Sequence, residues 1–214
     1  FYSIDFEKYE NLPNEQIIKA PNKNFTKSNN KNKNNDKDWT RSHGNHSSNK
    51  FSSLKEINSE NVKNLGLVWS YKFPKKGPIP GNAIFFKNTI YLSSTEKSVV
   101  ALNVSSGKKI WEYKTEGQAA VRGLMLNKRT KKIYFCDQQN LISINSLDGS
   151  PNVKFGKKGK IKLKHKCQTT PAIIEQNLII ATFEPGIEVY DLKSGKIKWK
   201  FYLKEKDKNY FRYG

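Results

Sequence analysis

Three stretches of the chain repeat one another, and that repetition restricts the fold more than any other feature. Residues 100–111 read VALNVSSGKKIW, residues 142–153 read ISINSLDGSPNV, and residues 188–199 read EVYDLKSGKIKW. The aligned glycines Gly107, Gly149 and Gly195 are 42 and 46 residues apart. Trp69, in LGLVWSYKF, stands 42 residues before Trp111 and fits the end of a preceding unit. A period in the forties belongs to stacked units, each too small to bury its own apolar faces alone.

The content of each unit is β-type. Residues 83–86, 89–93, 98–103 and 109–113 are rich in Ile, Val, Phe or Tyr, with Lys87-Asn88 and Thr95-Glu96-Lys97 as turns between them. The same four-run rhythm returns over residues 123–155 and 172–201. A helical period is not sustained anywhere, although residues 54–65 can form a short helical turn. Four short strands per unit at this spacing predict an all-β chain, a β-propeller of four-stranded antiparallel blades. About three and a half blades are legible over residues 38–214, so the propeller is expected to be incomplete. An open propeller leaves blade faces wet, which points to a longer protein or an assembly.

Asn103, Asn145 and Asp191 end one strand and can accept N–H groups of the following turn, and a glycine then supplies positive φ. Trp111 and Trp199, four residues after their glycines, are expected to be buried between blades rather than to line a central site.

Charge is high: 39 Lys and Arg against 19 Asp and Glu, a formal +20. Only Arg41, Arg122, Arg129 and Arg212 are arginine. Nucleic-acid surfaces lean on the bidentate guanidinium, so a nucleic-acid partner is not expected. Excess Lys and Asn is also what an AT-rich genome produces, and the lysine-rich residues 157–166 read as solvated surface. The longest apolar run, residues 99–102, is far short of the roughly 20 residues a membrane helix needs. Cys136 and Cys167 allow one bridge at most; the reading disfavours it and takes Cys136, in IYFCD, as a buried strand cysteine. His43, His46 and His165 are scattered and lack the spacing of a structural zinc site. The chain begins at Phe1 with no leader-like segment, so either a leader has been removed or the chain is a fragment. Residues 1–37 are rich in Asn, Lys and Ser, and 22–37 hold one large apolar residue, Phe25; this arm is expected to be largely disordered.

The motif A-x-D-x-x-[TS]-G-x-x-x-W, present here as ALNVSSGKKIW and VYDLKSGKIKW, resembles the tryptophan-docking motif of the eight-bladed quinoprotein dehydrogenases. Further segments are similar in the same order: Asp38-Trp39, then FSSL from Phe51, INSENV from Ile57, Leu65 and Val68-Trp69. FGKKGKIKL from Phe155 resembles the extended blade loop of the sugar and polyol branch. The resemblance implies the N-terminal part of a periplasmic or cell-envelope dehydrogenase with pyrroloquinoline quinone and calcium as cofactors. The substrate would be an alcohol, sugar or polyol, with a quinone or cytochrome as electron acceptor.

Carried over residue by residue, Arg122 of the Arg122-Gly123 pair matches the family's cofactor-binding arginine. A guanidinium offers two donors to a quinone oxygen or carboxylate. Thr169, in CQTTPAII, matches a threonine that bonds a cofactor carboxylate. Glu184, in ATFEPGIEV, falls where the family places a calcium ligand, and a carboxylate suits that hard ion.

The chain also departs from the pattern. An acidic residue and a threonine that precede the family's first complete blade are replaced here by Pro80 and Asn82. The loop around Glu184 is several residues shorter, and no adjacent cysteine pair precedes Arg122. The catalytic aspartate, the asparagine ligand and the aromatic floor lie beyond Gly214 in the family's order, so this chain alone is not expected to be active. The departures favour an alternative, a non-catalytic propeller acting as a protein-binding scaffold in the cell envelope. A basic module for anionic polymers or membrane surface is a third reading.

Overall fold

A computed structural model of the chain describes residues 38–44, 48–77, 79, 81–94, 96–167 and 169–202. The arm expected over residues 1–37, and Pro80, lie outside the described residues.

Among the described residues, twelve antiparallel strands form three successive blades. The first holds β1 (Ile84–Phe86), β2 (Thr89–Ser93), β3 (Ser98–Asn103) and β4 (Lys109–Lys114). The second holds β5 (Met125–Asn127), β6 (Lys132–Cys136), β7 (Gln138–Asn145) and β8 (Lys160–Cys167). The third holds β9 (Ala172–Ile174), β10 (Asn177–Thr182), β11 (Gly186–Asp191) and β12 (Ile197–Tyr202). One residue pair, Thr182↔Cys167, links the second and third blades into a continuous sheet. The expected helical turn is a single 3-10 turn at Val62–Asn64.

The blades stack because each central strand is apolar on both faces. Val99, Val100, Ala101 and Leu102 of β3 are all buried, as are Leu141, Ile142 and Ile144 of β7. One core joins Val99, Ala101 and Trp111 of the first blade to Ile133, Phe135, Ile142 and Ile144 of the second. Another joins Tyr134, Leu141, Leu163 and Cys167 of the second to Leu178, Ile180 and Tyr190 of the third. On the opposite face of the first blade, Leu92, Val100 and Leu102 pack against Trp69, Tyr71 and Phe73.

The repeated glycine turns occupy equivalent places, Gly107 between β3 and β4, Gly149 between β7 and β8, and Gly195 between β11 and β12. At two of them the polar residue accepts turn N–H groups as expected, Asn103 Oδ1 those of Ser105 and Ser106 at 3.0 Å and Asp191 Oδ1 that of Ser194 at 2.8 Å. At the third, the Asn145 side chain bonds Lys132 Nζ and Ser150 Oγ instead, and the Ser150 N–H goes to Asp148 Oδ1. Each turn receives an aromatic residue from the preceding unit. The Trp69 ring lies against Gly107, and its Nε1–H donates to Val104 O at 2.7 Å. The Trp111 ring lies against Gly149, and its Nε1–H donates to Ser146 O at 3.1 Å. A side chain on either glycine would collide with the indole, and φ is +67 and +71° there, so the residue is doubly constrained.

The second blade has no tryptophan to continue the series, because Val153 stands in that position and is exposed. Phe155, two residues further on, is fully buried and packs with Ile161 against Gly195. The carbonyl that an indole would cap, Leu192 O, accepts the Tyr134 hydroxyl instead at 3.1 Å.

Two expectations are corrected. Trp199 is 54% exposed, not buried, whereas Trp111 is 8% exposed. Trp199 lies on the face of β12 away from the second blade, and no glycine turn among the described residues receives it. Cys136 is buried as expected, but it is joined to Cys167 by a disulfide, with Cα atoms 5.9 Å apart. The cysteines are distant in sequence and meet because β6, β7 and β8 are adjacent, Cys136 pairing with Leu141 and Cys167 with Gln138.

Candidate functional site

Antiparallel alternation puts the loops that open each blade at the end opposite the glycine turns. The β4–β5 and β8–β9 connections lie there, together with the β6–β7 and β10–β11 turns. Pairings of Cys167 with both Gln138 and Thr182 establish this shared end. Arg122, Thr169 and Glu184 therefore all stand at one end of the stack, carried by different connections.

Arg122-Gly123 closes a tight turn. Ala120 N–H donates to Cys136 O at 2.8 Å, and Gly123 N–H returns to Ala120 O at 2.9 Å. Gln118 Nε2 donates to Ser94 O at 3.1 Å, tying the same loop to the first blade. The backbone ahead of β1 closes on this turn, since a Cβ on Gly81 would sit 2.6 Å from Ala120 O. The Arg122 side chain is exposed, but its carbonyl is gripped from two directions. Ser42 Oγ donates to it at 3.0 Å and Thr170 Oγ1 at 2.7 Å.

Ser42 belongs to residues 38–44, which run along the free edge of β1. Trp39 pairs with Phe85 through both backbone bonds, and Leu126 N–H donates to Thr40 O at 2.9 Å. Asp38 completes the seam, with Lys128 Nζ 3.0 Å from its carboxylate. This segment thus joins the first strands of two blades and delivers Ser42 to the Arg122 turn.

Thr169 and Thr170 divide their tasks. Thr170 holds Arg122, as above. Thr169 Oγ1 donates to Ala181 O at 3.2 Å and lies against the disulfide, 3.8 Å from Cys167 Sγ. The bridge therefore anchors the loop from which both threonines project.

Glu184 is exposed in the β10–β11 turn, where Thr182 Oγ1 donates to its carbonyl. Its side chain lines a cleft of about 360 Å³ with Lys164, His165, Lys166 and Phe183. Arg122 and Thr169 are not part of that lining. The structure thus joins the loops of Arg122 and Thr169 directly, and sets Glu184 at the same end in a cleft beside β8. Among the described residues no group of three or more His, Cys, Asp or Glu forms a metal-binding cluster. Asn82 is exposed ahead of β1.

Sequence reading missed four features here: Ser42, Thr170, the disulfide, and a buried carboxylate on β11. Glu188 accepts the hydroxyls of Tyr190 and Tyr202. Burial first, then the Glu188 carboxylate, pushes the Tyr190 phenol well up and the Tyr202 phenol to about 12. His165 stacks edge-on to Tyr202 at 4.9 Å, so this cluster fills the seam between β8 and the third blade. The IEVYD alternation was the available signal, since it puts Glu188 on the same face as the apolar Tyr190.

The family described as PQQ glucose/ethanol/alcohol dehydrogenase, β-propeller domain, matches residues 39–213. Quinohemoprotein alcohol dehydrogenase ADH IIB of Pseudomonas putida is 27% identical over 178 residues, 72% of this chain and 24% of that protein. Quinoprotein glucose dehydrogenase of Escherichia coli is 25% identical over 223 residues, 81% of this chain and 28% of that protein. Among solved structures, quinohemoprotein alcohol dehydrogenase from Comamonas testosteroni superposes with a TM-score of 0.65 at 24% identity, over 77% of this chain and 27% of that one. The chain spans about a quarter of the length of these relatives.

Proposed function

The chain belongs to the PQQ glucose/ethanol/alcohol dehydrogenase β-propeller family, and from that premise we propose that it is the N-terminal part of a quinone-dependent dehydrogenase that oxidises an alcohol, sugar or polyol. The observation that carries this reading is the meeting of three segments at Arg122-Gly123: residues 38–44, the loop opening the second blade and the loop opening the third.

The donor chemistry at this end fits an anionic quinone. Arg122 provides an exposed guanidinium, suited to a carboxylate or a quinone oxygen. Thr169 would bond a cofactor carboxylate once its hydroxyl turns from Ala181 O. Glu184 would serve a calcium ion as a hard oxygen ligand. When bound, the quinone supplies the two-electron acceptor, and the chain's own groups bind and orient it. Onward transfer would go to a quinone or a cytochrome; one relative is named 1-butanol dehydrogenase (cytochrome c). A periplasmic or envelope location is supported by the Cys136–Cys167 disulfide, which persists in an oxidising compartment. No described helix is long and apolar enough to cross a membrane.

The test is titration of the full-length protein with pyrroloquinoline quinone and calcium, followed by quenching of tryptophan emission. Arg122→Ala should weaken quinone binding by about 1.5–3 kcal/mol through loss of a charge-assisted pair. Unchanged affinity would remove the cofactor role and leave the scaffold reading.

A further inference from the structure

We infer that Ser42 and Thr170 are positioning residues that together hold the Arg122 backbone in the conformation from which its guanidinium reaches the quinone, an inference that rests on the role proposed for Arg122. Two hydroxyls from segments 128 residues apart in sequence converge on one carbonyl oxygen. That arrangement uses both lone pairs of Arg122 O, so the carbonyl direction is set by two fixed points rather than one.

The remaining bonds of the turn point the same way. Ala120 has φ +47°, a conformation an L-residue rarely adopts, and Gly123 has φ +123°, which its missing Cβ permits. Gly123 is the residue that lets the hydroxyls approach: a Cβ there would collide with Ser42 Oγ and crowd Thr170 Oγ1 at 3.2 Å. Each hydroxyl is itself anchored at a distance. Ser42 follows the Trp39↔Phe85 and Thr40–Leu126 backbone bonds, and Thr170 follows the loop that lies against the disulfide. Ordering Arg122 before the cofactor arrives lowers the conformational cost of binding it.

The device also makes the site composite. The second and third blades together supply only the Thr170 contact to Arg122 O, and the second contact needs Ser42 from residues 38–44. A cofactor that binds through Arg122 would therefore sense the seating of that segment.

The experiment uses the full-length protein and pyrroloquinoline quinone with calcium as the probe, read by tryptophan-emission quenching rather than by activity. Ser42→Ala and Thr170→Val should each weaken quinone binding about threefold to tenfold, the scale of one net hydrogen bond. Ser42→Thr and Thr170→Ser keep the hydroxyl and should bind within about twofold of the parent. In an Arg122→Ala background, Ser42→Ala and Thr170→Val should have no further effect, because they act through the lost guanidinium. If Arg122→Ala weakens binding but the two hydroxyl variants do not, the positioning role is overturned and the cofactor role stands. Equal losses with and without Arg122 would also overturn it, since the hydroxyls would then serve the general fold. If Arg122→Ala itself has no effect, the underlying reading fails and the positioning role with it.

Discussion

Trp111 and Trp199 hold the same place in the same repeat, four residues after a turn glycine on the last strand of a blade, yet one is buried and the other is half in water. Trp111 on β4 meets Gly149 of the next blade, and its indole N–H finds Ser146 O. Trp199 on β12 shares its face with Ile187 and Phe201, both exposed. The motif therefore encodes a docking group, while its burial and energy come from the neighbouring blade. The contrast extends to the whole seam: the first-to-second junction is closed by an indole, and the second-to-third by Phe155 and Tyr134, beside a disulfide that lies within the second blade.

The largest effect expected from this contrast is on stability. Trp111→Ala should cost about 3–5 kcal/mol in denaturant unfolding of residues 38–214, as for a buried large aromatic. Trp199→Ala in the same polypeptide should cost well under about 1 kcal/mol, because little area leaves water there. Comparable losses from the two would break the comparison.

Next comes the disulfide. Replacing Cys136 and Cys167 together with serine should lower stability by about 2–4 kcal/mol, the range for a bridge closing a loop of this size. Hydrogen exchange should rise first in β8 and at the β10–β11 end, where Cys167 pairs with Thr182. Faster exchange confined to the first blade would place the bridge's effect at the wrong junction.

A smaller effect should appear at high pH. The Tyr202 phenol is held to about 12 by burial and by Glu188, and the Tyr190 phenol is raised by the same two causes. Both keep their protons in the fold while the unfolded chain begins to lose them near pH 10. Stability from this cluster is thus fully present below about pH 10 and lost as pH rises through 12. Tyrosinate absorbance should show the delay, and Glu188→Gln should shorten it by removing the adjacent negative charge. A titration unchanged by Glu188→Gln would contradict the cluster.

Much of the fold was readable because it depends on neighbours in sequence. The strand runs, the polar cap at Asn103 or Asp191 and the positive-φ glycines are local, and the structure places β1 to β4 within a residue or so of the expected runs. The extended loop with FGKKGKIKL was also visible, but not that Phe155 would take over a tryptophan's place. The disulfide escaped because its cysteines, 31 residues apart, meet only across β6, β7 and β8. Of the candidate site, the residue types at Arg122, Thr169 and Glu184 were legible from family likeness. The grip on Arg122 O was not, because Ser42 sits 80 residues upstream, in a segment whose strand-like pairing depends on the edge of β1. Exposure of Trp199 was likewise hidden, since it depends on what covers the third blade rather than on its own sequence.

The most direct measurement of blade-conferred burial is acrylamide quenching of two single-tryptophan forms of residues 38–214, one keeping Trp111 and one keeping Trp199, with the other tryptophans changed to Phe. Trp111 should emit at short wavelength and resist the quencher, while Trp199 should emit at long wavelength and quench readily. Equal shielding of the two, or a Trp111 as accessible as Trp199, would contradict the docking of each blade's indole into its successor.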